Sequence, residues 1–493
     1  MSHFERRTAP AAAHGREPAP VDPVPRRKWL ALTMICLAQF MLIADITVVN
    51  VALPTIGRAL DLRGGDLTWA VAAYSVCFGG LMILGGKLAD TFGRRRMLLT
   101  GLVLFVAASA LSGLAGGAGA LIGGRAAQGV GAALMSPAAL SQVTTMFTGR
   151  DRTRAIGIWS AIGGAGAALG VLLGGVLTSY ASWRWIFFVN VPAGIAVLTA
   201  LPLLLPRTDT PARRRVDLAG ALAVTATAAL LVFGFVRAGD VGWAAPQSLG
   251  ALVLGGVAAA VFVLIERSTQ KHGGEPLMRL EILARRPVLT GLALMLTASS
   301  LLLAGFFLSS LYLQQVLHFT PVRTGLLFLP CALAIGLGVH VGTRTARSVG
   351  IRPTATTGFL VAATGAALLT RLDADSDAWP HLLPGLFLLT LGIGALLVSA
   401  TTTALAGAEH AIAGTVSGIV NSGHELGSAI GVALVTALAG TSVTGPTTGG
   451  SWPTGGFSTA FTVCAALAAL AAPVCQWAIP RGRADADSAL PSH

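Results

Sequence analysis

Charged residues are scarce in this chain. Asp, Glu, Lys and Arg make up 11% of its 493 residues, against roughly a quarter in an average soluble domain. Apolar runs of about twenty residues recur from Trp29 to Trp477, with no polar stretch long enough for a separate folded domain. The 61 Gly and 24 Pro suit closely packed, kinked helices better than outer-membrane strands. The sequence therefore predicts an all-α polytopic membrane protein and excludes a soluble one.

Cysteine and other reactive side chains are also sparse. The five cysteines stand alone in apolar runs, so they form neither a disulfide framework nor a metal-ligand spacing. No G-x-x-x-x-G-K-[ST] loop occurs, nor a Ser/His/Asp arrangement that sequence alone would justify, which disfavours ATP as a direct energy source and an enzymatic function. We therefore expect no cofactor and no metal site. The first 28 residues have no apolar core, so they predict a disordered cytoplasmic tail and no signal peptide.

Breaking the chain at charges and at Gly- or Pro-rich turns gives fourteen candidate membrane spans. They are 29–53, 68–88, 97–116, 119–147, 155–179, 185–205, 217–237, 247–266, 288–317, 321–346, 353–370, 381–405, 413–439 and 457–478.

The positive charges fall in alternate loops. With the N-terminus in the cytoplasm, 27 Lys and Arg lie inside, 6 lie outside and Arg125 lies within a span. This split follows the positive-inside rule and predicts that both termini are cytoplasmic. The net charge of +13 thus reflects orientation in a bacterial cytoplasmic membrane, and no nucleic-acid partner is expected.

The loop after the second span contains the most specific motif. It reads Gly86-Lys87-Leu88-Ala89-Asp90-Thr91-Phe92-Gly93-Arg94-Arg95-Arg96. Gly86 and Gly93 allow close approach and a tight turn, while Asp90 can accept charge-assisted bonds from helix N-termini or from arginines such as Arg94 and Arg95. The alternative is an ordinary positive-inside turn with an incidental Asp. The segment resembles the loop 2–3 motif of the major facilitator superfamily.

Other segments extend this resemblance along the chain. Ala44 through Pro54 is similar to the first-helix signature of the fourteen-helix drug:proton antiporters named after the EmrB and QacA exporters. Leu121 through Arg125, with Gln128, Gly129 and Gly131, matches the fourth-helix motif, and Trp183 through Pro192 matches the segment after span five. The antiporter motif of span five is matched by five glycines: Gly163, Gly166, Gly170, Gly174 and Gly175.

Two departures from the family pattern stand out. Val171 takes the place of the proline that usually follows the glycine matched by Gly170, so no proline kink is expected there and the inference of antiport is weaker. The second half should echo the loop motif, and Gly342 through Arg352 does so only loosely, without an acidic residue. The glycines at intervals of three and four still predict close helix contact.

The resemblance implies a major facilitator fold of two six-helix halves, with two extra inserted transmembrane helices. The expected organisation is an N-terminal cytoplasmic tail (1–28), a first half (29–206), an inserted helix pair with cytoplasmic linkers (207–286), a second half (287–479) and a cytoplasmic C-terminal tail (480–493).

Ionisable groups inside a membrane are costly and point to function, and few spans contain one. Asp45 in span one is the first choice for proton coupling, with a structural carboxylate bonded to Asn50 or to a neighbouring helix as the alternative. The family match implies that Arg125 is a fixed cation that biases proton uptake or release; the alternative is that it satisfies carbonyls at a helix interface. Glu425 either binds a proton or a cation, or pairs with His424 or a helix terminus.

The resemblance implies a proton-coupled efflux transporter that exports amphipathic organic compounds by alternating access. It would work with protons and the lipid bilayer, and as a monomer. A proton-coupled uptake facilitator for a nutrient or siderophore has the same fold and stays open because of Val171. A membrane receptor or enzyme is disfavoured because the polar loops are too short for a sensory or catalytic domain.

Overall fold

The computed structural model describes residues 26–62, 65–205, 217–274, 276–373, 376–408, 410–439 and 454–479. Most of the expected tails and the linker at 207–216 lie outside these residues. The described residues are helical, with turns between helices and no strand. This is the arrangement that a bilayer favours, because each helix satisfies its own backbone hydrogen bonds.

The described residues contain fourteen long helices, each overlapping one of the expected spans. They are α1 Arg26–Ala59, α2 Gly65–Phe92, α3 Arg94–Gly113, α4 Ala118–Met146, α5 Gly149–Tyr180, α6 Trp185–Leu204, α7 Leu218–Val241, α8 Pro246–Lys271, α9 Arg286–Val316, α10 Pro321–Ser348, α11 Ile351–Leu369, α12 Ala378–Leu405, α13 His410–Ala439 and α14 Gly455–Ala478. A short helix, Leu280–Leu283, precedes α9.

Several helices are longer than the apolar runs that predicted them. The first span was expected to end at residue 53, but α1 continues through Pro54 to Ala59. A proline inside a helix removes one backbone hydrogen bond without ending the helix when its neighbours are packed, and Leu53, Pro54 and Ile56 are all buried. Apolar length thus underestimates helix length at this point.

Ten of the long helices in the described residues are long and apolar enough to cross a membrane. The other four are α4, α5, α11 and α13. In α4 and α11, Gly, Ala, Ser and Thr take many of the positions, which lowers hydropathy but lets neighbouring helices come close. The chain is therefore an all-helical, multi-pass membrane protein.

The helices pack as two groups of six with one pair between them in sequence. In the first group, α1 packs on α5 and α6, and α4 packs on α2 and α3. In the second, α12 packs on α9, α10 and α11, while α13 packs on α9 and α14 packs on α11. The groups meet where α2 packs on α13 and where α5 packs on α10. Helix α7 packs on both α2 and α13, and α8 packs on α7.

The two groups are joined at one end of the bundle. We call the end where α1 begins and α14 ends the tail face, and the other end the opposite face. Near the opposite face, Ser310 Oγ donates to Asn50 O at 2.7 Å and Gln314 Nε2 donates to Val51 O at 2.7 Å. Thr68 Oγ1 donates to Thr436 Oγ1 at 2.9 Å. The structure therefore shows an arrangement closed at the opposite face.

Gly175 lies in this closure. A Cβ added to Gly175 would sit 2.7 Å from Pro321 O, at the start of α10. Nearby, the Val322 N–H donates to Ser179 Oγ at 3.0 Å. The backbones of α5 and α10 thus approach each other at a point where a side chain does not fit.

The substitution Gly175→Ala should weaken closure at the opposite face. The added methyl group meets backbone atoms that cannot turn away, which costs about 1–3 kcal/mol and shifts the equilibrium roughly 5- to 150-fold toward separation. Ser310 is fully buried in the closed arrangement and bonds across it to Asn50 O. Labelling of a Ser310→Cys variant by a membrane-impermeant maleimide should therefore become faster by a similar factor. Gly157→Ala in the same helix is the control, since no atom lies within 4 Å of its added Cβ. Equal labelling rates in both backgrounds would contradict the prediction.

Candidate functional site

A polar cluster lies inside the first helix group, where four helices converge. Asp45 comes from α1, Ser109 from α3, Arg125 and Gln128 from α4, and Asn190 from α6. Arg125 and Gln128 are three residues apart and so share one face of α4. All five residues are buried.

Both carboxylate oxygens of Asp45 have partners in this cluster. Its Oδ2 is ion-paired with Arg125 Nη1. Its Oδ1 accepts hydrogen bonds from Gln128 Nε2 at 2.9 Å and from Asn190 Nδ2 at 3.3 Å. Asp45 is 2% exposed and Arg125 is 1% exposed, so water screens this pair very little.

Arg125 also contacts α2. Its Nε donates to Ala70 O at 3.1 Å, and its guanidinium lies 4.6 Å from the centre of the Tyr74 ring. Such cation–π contacts add attraction when the cation is desolvated. The guanidinium is therefore held by a carboxylate on α1, a carbonyl and a ring on α2, and Gln128 Oε1, which accepts from Nη1 at 3.1 Å.

The structure brings together two residues that the sequence considered separately. Asp45 and Arg125 are direct partners inside the first group. Asn50, the alternative partner for Asp45, instead donates from Nδ2 to Ile46 O at 2.9 Å. Proton coupling by Asp45 and Arg125 stays a prediction.

Sequence reasoning missed three members of the cluster, and each could have been suspected. Gln128 and Asn190 lie in the segments that resemble the family, and each is an amide within an apolar run, where a side-chain partner is needed. Nothing in the sequence around Ser109 in α3 indicated a role for it. In the structure, Ser109 Oγ accepts a hydrogen bond from Gln128 Nε2 at 2.7 Å, so it satisfies a buried amide donor.

Glu425 occupies the boundary between the two helix groups. Ser75 Oγ on α2 donates to Glu425 Oε2 at 3.1 Å, and Glu425 is 6% exposed. Its neighbour His424 points elsewhere, with Nδ1 2.6 Å from Ser299 Oγ on α9. The contact observed for Glu425 is therefore with the other group, and not with His424.

Helix α2 connects the two sites. Ala70 and Tyr74 contact Arg125, while the next residue, Ser75, contacts Glu425. One six-residue segment of α2, from Ala70 to Ser75, thus contacts the buried ion pair on one side and the boundary carboxylate on the other. A change of charge at either site acts on the same short segment.

The loop between α2 and α3 has the geometry that its glycine predicts. Gly93 has a φ of 100°, a left-handed conformation that a side chain disfavours. Asp90 and Arg94 approach to 3.8 Å and are both partly exposed, so their attraction is weak. Arg95 Nη2 donates to Pro202 O, at the end of α6, at 2.8 Å.

Gly86 makes only ordinary contact in this structure, with an added Cβ 3.7 Å from Pro137 Cβ. The tight position is its neighbour Gly85, where an added Cβ would overlap Ala133 O of α4. Sequence reasoning singled out Gly86 because it begins the motif. The spacing of a motif does not reveal which of two adjacent glycines faces a backbone.

Comparison with known proteins agrees with this architecture. The sequence profile described as Major Facilitator Superfamily matches residues 35–432. The chain belongs to this superfamily. It is 39% identical over 430 residues to the puromycin resistance protein pur8 of Streptomyces alboniger, covering 86% of this chain and 83% of that protein.

Two further relatives cover similar lengths. The lincomycin resistance protein of Streptomyces lincolnensis is 35% identical over 498 residues, covering 98% of this chain and 100% of the relative. The cephamycin export protein CmcT of Amycolatopsis lactamdurans is 35% identical over 420 residues, covering 84% and 86% of the two chains.

The second half repeats the arginine contact of the superfamily loop. Gly350 has a φ of 105° and precedes α11, as Gly93 precedes α3. Arg352 stands two residues after Gly350, as Arg95 does after Gly93, and its Nε donates to Ile479 O at the end of α14 at 2.9 Å. Both arginines therefore satisfy carbonyls that a helix end leaves unpaired. The segment from Gly342 to Arg352 resembles the loop motif only loosely in sequence, but Arg352 makes the same kind of contact as Arg95.

The glycines of α5 face two helices. On the α1 side, added Cβ atoms would lie 3.2 Å from Ile43 Cβ at Gly166, 2.9 Å from Ala44 Cα at Gly170 and 2.9 Å from Val48 Cα at Gly174. Gly175 faces α10, and the surroundings of Gly163 lie outside the described residues. Val171 is buried, and its carbonyl oxygen faces Gly325 of α10.

Within the described residues, no group of three or more His, Cys, Asp or Glu side chains could hold a metal ion. The polar residues that converge here are linked by an ion pair and by hydrogen bonds among buried side chains.

A double substitution should separate the structural from the transport role of the ion pair. Asp45→Asn or Arg125→Gln alone leaves one buried charge unpaired, which costs about 3–5 kcal/mol. The double variant removes both charges and should regain most of the apparent Tm in detergent, yet not transport. If the double variant were no more stable than either single one, the pair would not be the source of the loss.

Proposed function

We propose that this superfamily transporter is a proton-driven exporter of amphipathic organic compounds such as antibiotics, dyes or a secondary metabolite. The observation that carries the proposal is similarity over nearly the full length to proteins named for resistance to puromycin and lincomycin and for export of cephamycin. The function is transport and not catalysis. The chain works as a monomer.

The proposed topology is fourteen spans in a bacterial cytoplasmic membrane, with the tail face in the cytoplasm. An even number of crossings returns the C-terminus to the side of the N-terminus. The arginines that bind the ends of α6 and α14, Arg95 and Arg352, belong to this face. Cytoplasmic loops of membrane proteins are enriched in such cations. The halves are 29–206 and 287–479, with the inserted pair between them.

The proposed coupling begins at Asp45. In the arrangement closed at the opposite face, Asp45 is ion-paired with Arg125, which is the state expected after a proton has left toward the cytoplasm. When the protein opens to the outside, a proton binds the Asp45 carboxylate and cancels the ion pair. Arg125 then keeps its bonds to Ala70 O and Gln128, so the balance of forces on α2 changes.

Glu425 supplies a second carboxylate at the boundary between the halves. Protonation weakens its hydrogen bond with Ser75, because a neutral acceptor binds a donor less strongly than a charged one. A cationic substrate in the central space would compete for the same charge. Glu425→Gln should therefore affect export of cations more than export of neutral compounds.

Export can be tested in everted membrane vesicles with puromycin and lincomycin as probes. Vesicles containing the protein should accumulate at least one probe when the proton gradient is present, and a protonophore should abolish the accumulation. Asp45→Asn should abolish it as well, because an amide cannot exchange the coupling proton. The control Asp377→Asn, at an exposed acidic residue, should transport normally.

Two results would contradict the proposal in different ways. Probe accumulation in right-side-out vesicles alone would indicate uptake. Accumulation that survives the protonophore would indicate export without proton coupling.

The topology can be tested independently with cysteines or reporter fusions at Arg16, Arg214 and Arg483. All three positions should react from the cytoplasmic side, since each lies next to predicted positive-inside loops. A cytoplasmic position of both tails with Arg214 outside would contradict fourteen spans.

A further inference from the structure

Two carboxylates meet at the tail face of the inserted pair, far along the chain from Asp45 and Glu425. Asp217 precedes α7 and caps it, because its Oδ1 accepts the Gly220 N–H at 2.8 Å. Glu266 lies in the last turns of α8 and is 0% exposed. Its Oε2 accepts the Met278 N–H, from the connection to α9, at 3.2 Å. Each carboxylate thus gives one oxygen to a backbone donor.

The second oxygens of these carboxylates are the unusual feature. Asp217 Oδ2 and Glu266 Oε1 are buried and have no hydrogen-bond donor among the described residues. They approach the same point, since a Cβ added to Gly220 would lie 3.0 Å from Asp217 Oδ2 and 2.6 Å from Glu266 Oε1. The missing side chain of Gly220 is what allows Glu266 to reach over the start of α7.

Two charged carboxylates in this position would be unstable. Each would lose the solvation of a buried oxygen without gaining a donor, and the two negative charges would repel each other. One proton removes both costs, because a protonated carboxyl donates a hydrogen bond to the other carboxylate. Two carboxylates that occupy one site commonly share one proton.

One cation lies close enough to act on this pair. Lys87, at the end of α2, attracts the Glu266 carboxylate, and its Nζ donates to Pro276 O on the connection that includes Met278. Its single positive charge offsets one of the two negative charges, and one bound proton offsets the other. The other charged or titratable residues at this end of the packed elements are exposed at the surface: Asp90, Arg267, Lys271, His272, Arg279 and Glu281.

We propose that Asp217 and Glu266 form a proton-binding site in which one proton is shared between Asp217 Oδ2 and Glu266 Oε1. The bound proton joins the start of α7 to the end of α8, and Met278 and Pro276 extend this contact to Lys87 on α2. Loss of the proton leaves two repelling carboxylates and loosens the inserted pair at the tail face. Binding of this proton requires neither a substrate nor proton coupling at Asp45.

The pair predicts how stability depends on pH. The folded protein binds a proton here that the unfolded chain releases, so this contribution is present at low pH and is lost as the pH rises. The apparent Tm of the purified protein should therefore fall by a few degrees between roughly pH 5 and pH 8, because the unfolded chain releases this proton first. In Glu266→Gln, the amide can donate permanently to Asp217 Oδ2, so this fall should be absent.

Proton counting gives a second readout that a merely structural role would not change. On alkalinisation over the same range, the wild type should release one proton per chain more than Glu266→Gln does. Glu281→Gln, at an exposed acid of the same connection, is the matched control and should behave as the wild type in both measurements.

Asp217→Asn provides a second test in case the Glu266→Gln variant does not fold. The Asn side chain still caps α7 and offers an amide donor to Glu266 Oε1, so it should show the same loss of pH dependence. The proposal is overturned if the folded variants keep the wild-type fall in Tm and release the same number of protons as the wild type.

Discussion

A buried arginine constrains the whole first half of this transporter. A guanidinium cannot lose its charge under ordinary conditions, so inside a bilayer it must be surrounded by groups that accept its hydrogen bonds. Arg125 finds Asp45 on α1, Ala70 O on α2 and Gln128 on its own helix. Asn190 on α6 completes the shell around Asp45. The relative positions of four helices are therefore constrained by the ion pair and hydrogen bonds around one cation.

Away from the buried ion pair, the helices are held together by close approach of their backbones. Apolar side chains gain little from association in lipid, so helices in membranes depend on close packing. Glycines provide it on α5, where Gly170 and Gly174 meet α1 and Gly175 meets α10. One face of α5 is thus fixed to its own half, while the adjacent position touches the other half. Helix α5 is therefore packed closely against both halves of the protein.

Sequence reasoning located the helices because twenty apolar residues have a strong signal, and located Asp45, Arg125 and Glu425 because charges within such runs are rare. It could not pair them, since apolar periodicity does not define the rotation of one helix against another. It also could not detect Asp217 and Glu266, which lie near predicted span ends, where acidic residues are ordinary. Only the packing of α7 on α8 shows that the two carboxylates meet over Gly220.

Helix α2 is the element on which these sites converge. Ala70 and Tyr74 contact Arg125, Ser75 contacts Glu425, and Lys87 contacts the connection that leads from α8 to α9. The helix also packs on α4, α7 and α13, so it belongs to the first half and lies against both the second half and the inserted pair. Proton binding at the buried pair, at the boundary carboxylate or beneath the inserted pair would therefore act on one rigid body. In the proposed mechanism, coupling between these sites needs no direct contact between them, because all of them contact the same helix.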